Sequence, residues 1–65
     1  MEYTIVEISR ASTHGPYLYS FRGKSTYAKP TLSDFANMAT GSVLYDFDIQ
    51  QAYMYDRDTQ TWILQ

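Results

Sequence analysis

From Gly41 to Leu64 the chain alternates between residues suited to opposite faces of a strand, three times over, with a short turn at each break. Ser42 to Phe47 sends Val43, Tyr45 and Phe47 one way and Leu44 and Asp46 the other, which is the two-residue period of a strand. Asp48-Ile49-Gln50-Gln51 reads as a turn. Ala52 to Asp56 then sets Tyr53 and Tyr55 opposite Ala52 and Met54. Arg57-Asp58-Thr59-Gln60 reads as a second turn, and Thr61 to Leu64 sets Trp62 and Leu64 opposite Ile63. Connections of about four residues are ordinary hairpin lengths, so these strands are expected to form an antiparallel meander.

Little chain remains to support that meander. The sequence has 65 residues, enough for one small domain over 1–65. It divides into an N-terminal hairpin (1–21), an irregular connection (22–41) and the meander (42–65). A chain of this size buries only about 60% of the surface it exposes when unfolded, so a disulfide, a metal or a partner usually reinforces it. There is no cysteine and only one histidine. Disulfides, zinc–thiolate sites and a four-histidine site are therefore excluded within one chain. Self-association or docking on another protein is the reinforcement that remains. Seven tyrosines, three phenylalanines and one tryptophan suit half-buried strands and interfaces, where the ring packs and the hydroxyl reaches outward.

Tyr3 to Ile8 is rich in β-branched and aromatic residues and reads as a strand, with Thr4, Val6 and Ile8 on one face and Tyr3 and Ile5 on the other. Ser9 to Pro16 is turn material. Tyr17 to Phe21 reads as the second strand of a hairpin, with Tyr17, Tyr19 and Phe21 on one face. The connection that follows holds Gly23, Pro30 and Gly41 among small polar residues. Within it Leu32, Phe35 and Met38 fall on one side of a possible helical turn that Thr31 or Ser33 would cap. Two readings of the connection stand open: a lid over the sheet, or a partner-binding arm. The expected fold is mainly β, a small antiparallel sheet or open barrel of about five strands, ending in the three-stranded meander and carrying one short helical turn.

The net charge of −2 lacks the basic stripe that a nucleic-acid backbone requires, so no nucleic-acid partner is expected. The charge is uneven. Residues 1–30 set Arg10, Arg22, Lys24 and Lys29 against Glu2 and Glu7, and residues 31–65 set Asp34, Asp46, Asp48, Asp56 and Asp58 against Arg57. Solvated turns explain this better than head-to-tail pairing of copies, because surface charge pairs are weak. No apolar run approaches the ~20 residues of a membrane helix, so no membrane partner is expected. The start, Met1-Glu2-Tyr3-Thr4, carries no leader pattern, so the chain is expected to be cytosolic where it is made.

No constellation points to catalysis, and no catalytic residue, metal ligand or cofactor is assigned. Asp46-Phe47-Asp48 and Asp56-Arg57-Asp58 place two carboxylates on one side of an extended segment, but calcium requires six or more oxygens, and aspartate commonly initiates turns. His14 lies in a turn with no scaffold for a Ser-His-Asp site with Ser12. The aromatic residues are the candidate contacts. Tyr17, Tyr19, Phe35, Tyr53 and Tyr55 are assigned as partner-binding residues, while Trp62, in the closing strand beside Ile63 and Leu64, is the best core candidate.

One pattern carries further. Gly23-Lys24-Ser25-Thr26, Lys29-Pro30-Thr31, Gly41-Ser42-Val43-Leu44-Tyr45-Asp46, Ala52-Tyr53-Met54-Tyr55-Asp56 and Trp62 follow one another in order. This resembles short proteins encoded among the head and tail genes of tailed bacteriophages and prophages, over about two-thirds of the chain. One departure is the turn after Tyr45, usually Asp-Thr-Gly in that pattern and here Asp48-Ile49-Gln50; without the glycine a tight turn is disfavoured and a wider loop is expected. The resemblance implies a place, the virion, and not a reaction. It points to a non-catalytic head decoration or cementing protein, or a fibre-base or connector component, made in the host cytoplasm. Its expected partners are other phage structural proteins, with the chain a homo-oligomer or present in many copies on a repeated surface. A carbohydrate-binding module of a tail or fibre, and a small phage-encoded inhibitor of a host or defence protein, are the alternatives.

Overall fold

Five strands lie side by side in chain order in a computed structural model that describes residues 2–10 and 15–65. They are β1 (Thr4–Arg10), β2 (Tyr17–Gly23), β3 (Val43–Asp46), β4 (Gln51–Asp56) and β5 (Thr61–Leu64). The sheet is open, and β3, β4 and β5 form the expected antiparallel meander. Its register sets Leu44 beside Tyr53 and Tyr53 beside Leu64, with Val43, Met54 and Ile63 aligned in the neighbouring row. Both connecting loops end on a glutamine in the left-handed region, Gln50 at φ 53° and Gln60 at φ 57°. The wider, glycine-free turn expected after Tyr45 is thus completed by a residue that tolerates this backbone at some strain.

The sheet is mixed rather than wholly antiparallel. β1 and β2 pair antiparallel, but β2 and β3 run parallel, with Phe21 beside Leu44 and Gly23 beside Asp46. Parallel neighbours need a long crossover, and the connection 24–42 supplies it. It crosses one face of the sheet, so the lid reading describes its position. Pro30 and Met38 are fully buried there, Ala39 is buried, and Tyr27, Leu32 and Phe35 pack half-buried against the core of Tyr3, Phe21, Met38, Leu44 and Tyr55. In place of the expected helical turn stand two hydrogen-bonded turns, with the Phe35 and Asp34 amides donating to the Thr31 carbonyl and the Met38 amide to the Phe35 carbonyl, and no helix forms. So short a segment does not sustain a helix, and side-chain caps hold the first turn instead: the Thr31 amide donates to Asp34 and the Ser33 amide to Thr31 Oγ1.

Strand β1 also departs from simple alternation. A bulge at Val6 breaks its register between Ile5 and Glu7. Ile5 pairs with Phe21 and Ile8 with Tyr19, so both isoleucines face the covered side, while Thr4 and Glu7 face the other. The expected grouping of Thr4, Val6 and Ile8 fails because one inserted residue shifts the phase of everything after it. The turn residues Ser12 and His14 lie outside the described residues.

Candidate functional site

The covered face gathers most of the aromatic residues. Tyr19 stacks on Phe21 with ring centres 5.7 Å apart, and Phe35 sits over both at 4.9 and 5.4 Å. Trp62 meets Phe21 edge-on at 6.1 Å and Tyr55 at 4.9 Å. Three of the five expected contact residues, Tyr19, Phe35 and Tyr55, therefore share one cluster. Tyr55 is only 2% exposed, so its ring is part of the core and offers no contact surface. Tyr53 makes no ring pair with these three but packs against the same core beside Leu44, and Tyr17 stands outside that core. The Arg10 guanidinium lies 5.6 Å above the ring of Tyr17, and the Lys29 ammonium 4.7 Å above the ring of Tyr53. Trp62, the expected core residue, is half-buried, and its indole N–H donates to the Pro30 carbonyl at 2.9 Å.

The most polar part of the interior is Asp46, whose side chain is wholly buried. Leu44 and Asp46 share a phase of β3, so the alternation that buries the one also turns the other inward. The Tyr3 hydroxyl donates to Asp46 Oδ1 at 2.6 Å. Lys29 Nζ stands 3.5 Å from Oδ2, which accepts no hydrogen bond. Burial, then the hydrogen bond to Asp46 and that carboxylate's charge, push the Tyr3 phenol well above its ordinary range. Asp48 turns outward instead, where the hydroxyl and amide of Ser25 donate to it and hold its carboxyl below the usual range. The two carboxylates thus part rather than converge. Asp56 Oδ1 accepts the Asp58 amide, an aspartate-initiated turn. Among the described residues no group of three or more His, Cys, Asp or Glu side chains stands together as a metal site would need. This centre ties the start of the chain and the crossover to β3.

The other face of the sheet has no cover among the described residues. Val43, Met54 and Ile63 form an unbroken apolar row across β3, β4 and β5, at 38, 40 and 49% exposure. Tyr45 and Ala52 pair in the adjacent row, and Tyr45 is exposed. Glu7 and Arg22 occupy the β1–β2 side of this face. This surface was missed as a candidate site when the tyrosines were singled out. Its signal was present: each strand of the meander is apolar in both phases, Val43 beside Leu44, Met54 beside Tyr53 and Ile63 beside Trp62. Strands apolar in both phases have two faces to bury. A contiguous exposed apolar row of this kind is a candidate contact surface. No protein-family model, no curated protein and no solved structure matches this chain.

Proposed function

We propose that this chain is a non-catalytic phage virion protein that works by docking, as a head decoration or cementing, fibre-base or connector component. The observation that carries the docking reading is the uncovered row Val43, Met54 and Ile63 on a sheet whose other face carries the core and the crossover, with Ile5, Ile8 and Leu64 exposed toward its two edges. Such a sheet has one face to give to a partner, and contact there supplies the second layer that a small chain lacks. The virion assignment is supported by the resemblance carried from Gly23 to Trp62. Tyr17, Tyr19, Phe35 and Tyr53 border the covered side as a secondary contact surface. Repetition of sites on an assembled particle strengthens each weak contact. The packing of Tyr19 on Phe35 and of Tyr55 on Trp62 leaves few free ring faces for stacking on a sugar, which favours a protein partner.

Mass spectrometry of purified, high-salt-washed particles tests the reading. The chain is expected among their constituents, in many copies. Its absence there, with abundance in the infected-cell lysate, would assign it instead to inhibition of a host or defence protein.

A further inference from the structure

We infer that the open face receives a second copy of this chain, two sheets packing face to face about a two-fold axis. The inference rests on the docking reading above and names the partner of that same face. The connection 24–42 already serves as the layer over the covered face, and the described residues hold no further element for the other. The row Val43, Met54 and Ile63, with Ala52 and Tyr45 beside it, is uncharged and apolar, so it is complementary to its own image, as a two-fold contact requires. Arg22 pairs with Tyr45, and Glu7 lies in line with the row beyond Ser20, so the two charges border the apolar residues on the β1–β2 side. They are opposite in sign, so a second copy meets at that margin a surface it complements rather than repels. Five strands about 4.8 Å apart give a face about 20 Å wide, and sheet-on-sheet contact of that size buries on the order of 1,000 Å² over both copies. That is the lower limit for a specific interface, so the contact has to extend over the whole face and not over the apolar row alone.

The alternative route to self-association, pairing of strand edges, is obstructed. The β1 edge carries the bulge at Val6 together with Glu7 and Arg10, and β5 is only four residues long. Bulges, charges and short edge strands are the features that prevent edge pairing.

Sedimentation equilibrium of the full chain from about 1 μM to about 1 mM tests the inference. The expected result is a monomer–dimer equilibrium that Met54→Glu weakens at least about 100-fold, because each copy would bury an unpaired carboxylate. The Met54→Glu chain should keep its strand circular dichroism and Trp62 fluorescence, and Val6→Glu at the β1 edge should leave the equilibrium within about threefold of wild type. A wild-type chain that stays monomeric throughout overturns the inference, as does a dimer lost in Val6→Glu and kept in Met54→Glu. Should Met54→Glu unfold, single-cysteine variants decide, since the chain has no cysteine of its own. On oxidation at least one of Val43→Cys, Met54→Cys and Ile63→Cys should link into a disulfide dimer while Val6→Cys does not; no link from any of the three overturns the inference. A monomer found in washed particles would sink the dimer and spare the virion reading. A dimer missing from particles would do the reverse.

Discussion

Gly23 stands where a side chain has no room. A Cβ there would lie 2.6 Å from Cδ1 of Tyr3 and 2.8 Å from Cδ2 of Tyr27, two rings that meet edge-on at 5.5 Å. Both rings are held by packing, so Gly23→Ala is expected to cost about 1–3 kcal/mol in urea unfolding. Gln50 and Gln60 present the opposite case, with side chains where a glycine would relax the backbone. Gln50→Gly and Gln60→Gly should each raise stability by about 0.5–1 kcal/mol, the left-handed strain outweighing the freedom glycine adds to the unfolded chain. The Tyr3–Asp46 contact has a pH signature. Because the folded phenol is held above its ordinary value of about 10, its contribution is complete below about pH 10 and declines as pH rises beyond it, where only the unfolded chain releases the proton. Alkaline unfolding of Tyr3→Phe should therefore show a shallower loss of stability above pH 10 than wild type. An equally steep loss in the variant would remove Tyr3 from the account.

At the scale of elements, the crossover decides how the sheet is built. Its last residues, 36–42, are fastened from both sides. The Arg57 guanidinium donates to the carbonyls of Met38 at 2.7 Å and Ala36 at 3.1 Å, and the Arg57 amide donates to Thr40 Oγ1. The Tyr17 amide donates to the Asn37 carbonyl at 2.6 Å, and the Ala39 amide donates back to the Tyr17 carbonyl at 2.8 Å. Buried Ser42 closes the path, its hydroxyl donating to the Ala39 carbonyl and accepting the Tyr19 amide. Arg57→Ala removes two charge-assisted bonds at a partly exposed site and should cost about 1.5–2 kcal/mol. Amide hydrogen exchange locates that loss: protection should fall first at Tyr17 and Ala39, while Leu44 and Tyr53 in the meander keep theirs. A uniform fall across the sheet would mean that the crossover does not open on its own.

Taken as a whole, the molecule is a one-layer sheet with a single covering segment, and that asymmetry sets its behaviour. The covered face holds the aromatic cluster and the buried Asp46, and the open face holds the Val43–Met54–Ile63 row. A dimer through that row makes thermal stability depend on concentration, because association favours the folded chain by mass action. The unfolding midpoint should rise by several degrees between about 5 and about 500 μM chain, and Met54→Glu should abolish the rise.

Strand content, the meander and the division of each of its strands into two phases followed from the sequence alone, because a two-residue alternation between four-residue turns admits few other conformations; which phase faces inward did not, and Tyr55, expected as a contact, is core. The glycine that leads into the meander, Gly41 at φ 99°, belongs to that same local logic. The partners of those strands were decided by tertiary structure. Nothing local to Tyr17–Gly23 or Val43–Asp46 states that they run parallel; the path of the connection 24–42 over the sheet determines it. The bulge at Val6, the pairing of Asp46 with Tyr3 and Lys29, and the burial of Tyr55 likewise arise from contacts between distant residues. The candidate site divides the same way. Alternation separated the two phases within each strand, but only the register aligned Val43, Met54 and Ile63 in one row, and only the path of the crossover decided which face is covered and which stays open, because one connection supplies a single layer.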